Sequence, residues 1–296
     1  MKFGIVKKLV AAIAVATLAI GVVGCGASKE EESSQDAKVE TNAGDKDADV
    51  SQETDVLGTS LDEIKANGKL VIGTSADYPP YEFHKTIDGK DEIVGFDIDI
   101  AKEVAKDLGV ELEIRDMDFN GLLIAMQAGK VDMVFAGMTP TAERKENTDF
   151  TDIYFTANHT FMVKKGDEGN YSSMEDLKGK RIGVQLGSIQ EGIAKDNFEA
   201  ENIKSLAKIS DLALDLGSGK IDAVLVEAPV GDMFTKANEG LALVDFRVED
   251  PDGGCAIALK KGSDEAVAEI NKTIQRLKEE NKIDEFVVKA NELLGE

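Results

Sequence analysis

VDMVFAGMTPTAER, from Val131 to Arg144, passes from an apolar run through a glycine, two threonines and a proline to a lone arginine. Residues 131–136 read as a buried strand. Gly137 then permits a close backbone approach, Thr139 suits a helix cap, and Pro140 suits the first helical position. Such a corner exposes unpaired N–H groups to an anion, and Arg144 adds a bidentate partner for a carboxylate. A second corner is built alike: residues 181–185 read as a strand, Gly187 follows, and Ser188 and Glu191 have the spacing of a capping box. Alternation of strands and helices of this kind along the chain implies an α/β fold with mostly parallel sheets.

The pattern extends outward from these corners. Strands are expected at 69–74, 111–115, 131–136, 181–185, 221–227 and 241–245. Ile98, Ala101, Val104, Ala105 and Leu108 recur at helical spacing and Gly109 stops that helix; further helices fit 122–127, 189–197 and 270–280. Two strand-like stretches, 157–164 and 254–260, sit where one alternating unit ends and another begins. They read as crossovers between lobes, giving residues 61–157 and 254–296 to the first lobe and 158–253 to the second. A cleft between lobes joined by two strands suits capture of a ligand by closure.

The amino terminus reads as an export signal over residues 1–24: Lys2, Lys7 and Lys8 precede a small, apolar run at 9–23, shorter than the roughly 20 residues a bilayer span needs. Val22-Val23-Gly24-Cys25 resembles a bacterial lipobox, so Cys25 is the expected lipidation site. Residues 25–60 are rich in Glu, Asp, Ser and Lys and hold no aromatic, the composition of a disordered tether. With Cys25 lipidated, Cys255 is the only other cysteine and no intrachain disulfide is available. The formal net charge of −23 disfavours nucleic acid and electrostatic docking on an anionic membrane, leaving the lipid to do the anchoring.

A pocket for an amino acid needs more than a carboxylate site. Glu227 ends the apolar strand 221–227 just before Pro229, where its carboxylate can pair with an ammonium; the competing reading makes it a helix cap. Tyr78 and Phe119, each just after a strand, are candidate aromatic walls, with Tyr81 and Phe83 assigned to the core.

GTSADYPPYEF, VGFDIDIAKEVAKDLGV, MDFNGLLIAMQAGKVDMVFAGMTPTAERKENTDFTDIYF, GKRIGVQLGSIQE and GKIDAVLVEAPV together resemble the polar amino acid substrate-binding proteins of ABC importers, from about residue 62 onward. The resemblance implies a two-lobed type II periplasmic-binding fold with a two-strand hinge and delivery of the ligand to a permease at the outer face of the membrane. It makes Arg144 and Thr139 the α-carboxylate site, with Gly137 in the same ring of contacts, and gives Ser188, Ile189 and Gln190 to the second lobe's share. Glu227 stands where the family usually has aspartate for the α-ammonium, and Tyr78 and Phe119 match the aromatic pair around the ligand side chain. Ser75 occupies a position that is acidic in several binders of basic amino acids, Asp77 is its possible substitute, and Gln185 falls at the side-chain end of the pocket. The expected ligand is a polar L-amino acid and the expected state a monomer.

Some enzymes share this fold, a dehydratase being the chief alternative, with a surface adhesin or receptor as another. The sequence has only His84 and His159, and neither sits in a recognisable triad; C-x-x-C, H-E-x-x-H and G-x-S-x-G are all missing. No catalytic residue, metal or cofactor is therefore expected. Leu214–Lys220, LDLGSGK, contains G-x-G without the strand that a dinucleotide turn requires.

Overall fold

The structure, a computed structural model, describes residues 58–249 and 253–295. The leader, Cys25 and nearly all of the expected tether lie outside the described residues.

Two five-stranded sheets form the frame. In the first, Lys69–Thr74 lies between Glu111–Asp116 and Met133–Val134 and is parallel to both; Ala258–Lys260 and Thr148–Phe150 complete the edge in antiparallel sense. In the second, Ile203–Leu206, Ile182–Gln185 and Ala223–Glu227 run parallel, followed by antiparallel His159–Lys164 and Leu241–Leu243. Leu70 and Ile72 in one sheet and Val184, Val224 and Val226 in the other have no exposed surface, as expected of strands covered by helices on both faces.

The Phe96–Leu108 helix shows how the sequence fixes these elements. Phe96, Ile98, Ile100, Ala101, Val104, Ala105 and Leu108 are buried along it, and Gly109 ends it in the left-handed conformation. Gly95 before it has φ +133°, and a Cβ there would stand 2.0 Å from the Tyr81 carbonyl oxygen, so this entry turn admits only glycine.

Several expectations need correction. The strand read at 131–136 pairs only over Met133–Val134, because the chain leaves the ladder to form the Gly137 corner. The strand-like stretch at 157–164 holds the strand His159–Lys164, which enters the second sheet between two neighbours. The crossing segments meet at an antiparallel bridge between Phe155 and Cys255. The helix read at 270–280 is the end of Asp264–Glu279, and another helix, Lys282–Gly295, follows it. A small sheet of Asp77–Tyr78, Glu82–Ile87 and Lys90–Val94 fills a stretch where no strand is expected. Leu214–Ser218 is helical within Ile209–Ser218, so the G-x-G there is no nucleotide turn.

Candidate ligand-binding site

On the first lobe, the turn after Met133–Val134 brings Gly137 round at φ +52°. Its N–H donates to Asp97 Oδ2 at 2.8 Å, and the Tyr154 hydroxyl donates to the same oxygen at 2.7 Å. The Gly137 N–H is therefore turned inward, away from any ligand. Thr139 is not the cap. The short helix Ala142–Asn147 is capped by Thr141, whose hydroxyl accepts from the Arg144 N–H at 3.2 Å. The Thr139 carbonyl instead accepts from Arg144 Nη1 at 2.8 Å. Arg144 Nη2 reaches the other lobe and donates to the Gly187 carbonyl at 2.9 Å, and the guanidinium carbon lies 5.5 Å from the centre of the Phe119 ring.

The second lobe's corner follows Ile182–Gln185. Gly187 takes φ +77°, and Ser188 caps Ile189–Asn197 by accepting from the Glu191 N–H. Glu191 does not complete a capping box with Ser188: its carboxylate accepts from the Gly187 N–H and the Ser205 hydroxyl, both at 2.8 Å. The Ser188 hydroxyl donates to the Gln185 carbonyl at 2.7 Å, so its hydrogen-bonding is largely internal. The first amides of the helix, those of Ile189 and Gln190, precede any intrahelical acceptor and carry the positive end of the helix dipole.

Glu227 is the last residue of Ala223–Glu227 and stands at the cap position of Ala228–Ala237, but its side chain makes no capping bond. Only 3% exposed, it accepts a hydrogen bond from the hydroxyl of Tyr81 in the other lobe, and Cys255 Sγ lies 3.9 Å from its second oxygen. Burial first, and then the Glu227 charge, holds the Tyr81 phenol well above its ordinary pKa, so it remains a donor.

Tyr78, Phe119, Gly137, Thr139, Arg144, Gln185, Ser188, Ile189, Gln190 and Glu227, together with Ala136, line one cavity between the lobes. Ser75 and Asp77 are the expected site residues not brought there. The Asp77 carboxylate accepts from the Ile209 N–H at 2.7 Å and from the Ser75 hydroxyl at 3.3 Å. In the same cavity lining, the Gln185 amide nitrogen donates to the Ala207 carbonyl at 3.2 Å, and Gln190 Nε2 is 3.3 Å from His159 Nδ1.

Sequence reading missed Tyr81, Asp97, Tyr154 and Glu82. Asp97 and Glu82 form a fully buried acidic pair behind Gly137. Burial pushes Asp97 up to about 6 against the opposing pull of the Gly137 and Tyr154 bonds, and burial followed by the nearby Asp97 charge raises Glu82 well above its usual value. The available signal for Tyr81 was its hydroxyl, since a buried tyrosine normally finds a polar partner.

Among the described residues, no group of three or more His, Cys, Asp or Glu is arranged to hold a metal ion. His84 pairs with Asp91 and Asp116 at an exposed position, while buried His159 lies beside Gln190. No helix among the described residues is long and apolar enough to cross a membrane.

Residues 70–290 match the family described as bacterial extracellular solute-binding proteins, family 3. The arginine-binding extracellular protein ArtP of Bacillus subtilis (strain 168) is 41% identical over 226 residues, spanning 74% of this chain and 84% of that protein. The L-cystine-binding protein TcyJ of Escherichia coli (strain K12) is 31% identical over 221 residues, 74% of this chain and 81% of that one. Among solved structures, the amino acid ABC transporter substrate-binding protein AbpA of Streptococcus pneumoniae Canada MDR_19A, bound to L-arginine, superposes with a TM-score of 0.76 at 42% identity, covering 79% of this chain and 99% of that one. An ancestral arginine-binding protein bound to glutamine gives 0.69 at 40% identity, covering 75% and 97%. Two α/β lobes closing on a cavity with an arginine on one side and a glutamate on the other agree with these matches: the chain belongs to the bacterial extracellular solute-binding proteins of family 3, the amino acid-binding components of ABC importers.

Proposed function

We propose that this protein captures L-arginine, or a polar L-amino acid close to it, and carries it to its permease without chemical turnover. The observation that carries the reading is the placement of Arg144 and Glu227, contributed by opposite lobes, in the lining of one cavity. In this reading the ligand carboxylate meets Arg144 and the Ile189–Asn197 helix N-terminus, and the α-ammonium meets Glu227 and the Gly137 carbonyl. Tyr78 and Phe119 flank the side chain. The Gln185 amide nitrogen is held by Ala207, so its oxygen is left to accept from a donor-rich group such as a guanidinium. Arginine also suits a chain of net charge −23, whose field attracts cations.

The same proposal includes Cys25 as the lipidated residue, attachment to the outer face of the cell membrane, and a monomeric state. Thermal-shift titration with the twenty L-amino acids and their D-enantiomers tests the ligand: L-arginine should raise the melting temperature most and D-arginine should do little. Calorimetry tests the site. Arg144→Ala and Glu227→Ala each leave one buried ligand charge without its partner, at a cost of about 2 to 5 kcal/mol. Near-normal affinity in either variant would remove that residue from the site.

A further inference from the structure

Asp77 lies on the first lobe and outside the cavity, yet its carboxylate Oδ2 accepts from the Ile209 N–H of the second lobe at 2.7 Å. Ile209 opens the helix Ile209–Ser218, and the Ser210 amide also acts on this carboxylate. The residue at that helix's own cap position is Lys208, which has extended backbone angles and no side-chain capping bond; lysine has no acceptor to offer. Ile189–Asn197, on the same lobe, is capped by its own Ser188. Thus a ten-residue helix of one lobe takes its missing cap from the other.

The geometry points to Asp77 as a closure latch: a positioning residue that caps the Ile209–Ser218 helix only when the lobes meet, so that it sets ligand affinity without touching the ligand. In the open form the helix loses this cap and its first amides turn to water. A capping bond therefore enters the closing equilibrium, and through it the apparent affinity, which depends on how much of the protein is competent to close. The Ser75 hydroxyl, 3.3 Å from the other Asp77 oxygen, holds the carboxylate in line, which gives both residues a role beside the cavity.

The test uses three variants of the full chain, small-angle scattering without ligand, and calorimetry with L-arginine as the probe. Asp77→Ala should enlarge the ligand-free radius of gyration and raise Kd about five-fold, the size of one capping bond. Lys208→Ser supplies a cap that persists in the open form, so it should raise Kd by about the same factor with Asp77 intact. The double variant should be no weaker than either single one, because both remove the same closure-dependent gain. Unchanged scattering and affinity in folded Asp77→Ala, unchanged affinity in Lys208→Ser, or additive losses in the double variant would overturn the latch. If Asp77→Ala does not fold, Lys208→Ser alone decides. If the unmodified protein binds no L-arginine, the proposed ligand fails instead, and the ligand-free scattering still judges the latch.

Discussion

Asp97 has no exposed surface, and its carboxylate orders the Gly137 corner through bonds from the Gly137 N–H and the Tyr154 hydroxyl. Its pKa stands at about 6, against an ordinary value of 3.8, so the folded state holds this proton more tightly than the unfolded chain. The stabilisation is full below the ordinary value and is lost as pH rises through about 6, a change of about 3 kcal/mol from this group. Asp97→Asn keeps an acceptor for both bonds and should flatten the urea-unfolding free energy between pH 4 and 6; an unaltered slope would show that Asp97 does not titrate there. Tyr81→Phe removes one donor to a buried charge and should raise the Kd for L-arginine about ten-fold by calorimetry. A Kd within two-fold of the unmodified protein would show that the hydroxyl does not hold Glu227. Arg144 and Glu227 were legible because each is a charge beside a turn signal in its own stretch of chain. Tyr81 and Asp97 were not, since Glu227 lies 146 residues from Tyr81 and Gly137 lies 40 residues from Asp97.

At the scale of elements, the strands at 69–74 and the helices at 122–127 and 189–197 were read to the residue, since periodicity and flanking glycines fix them locally. The cap of Ala142–Asn147 was misread because Thr139 and Thr141 flank the same proline, and only the path of the corner decides which hydroxyl meets the Arg144 amide. The small sheet over 77–94 was missed because its strands are short and mostly polar on one face. Gly187 offers a test of how tightly the second corner is made. It sits at φ +77°, and an added Cβ would stand 3.0 Å from the Asn120 Cβ of the other lobe. Gly68 has a similar φ of +67° with nothing near the added atom. Both alanine variants should lose about 1 to 2 kcal/mol of stability from left-handed backbone strain. Only Gly187→Ala should also weaken L-arginine binding, by more than ten-fold, because the new methyl meets the opposing lobe. Equal affinities in the two variants would show that the lobes tolerate a wider gap.

Across the whole molecule, one apolar cluster includes Ile72 and Met133 from the first sheet and Met162, Val224 and Val226 from the second. The lobes thus share packing as well as polar ties, among them Tyr81 to Glu227, Arg144 to Gly187 and Asp77 to Ile209. Residues 58–295 should therefore unfold in a single calorimetric transition, with equal calorimetric and van't Hoff enthalpies; two resolved transitions would mean that each lobe stands alone. The two-lobed plan was legible from alternating elements and two odd strands, but the ties were not, because periodicity records which face is buried and not what it meets.

The bond from Arg144 to the Gly187 carbonyl also bears on how cargo is let go. A grip whose halves belong to separate bodies need not be weakened chemically in order to fail: prising the bodies apart by a few ångströms leaves each with a fraction of the contacts and admits water to the rest. A transporter that docks on both lobes and spreads them could then unload the protein with a push alone, without altering any side chain that holds the cargo.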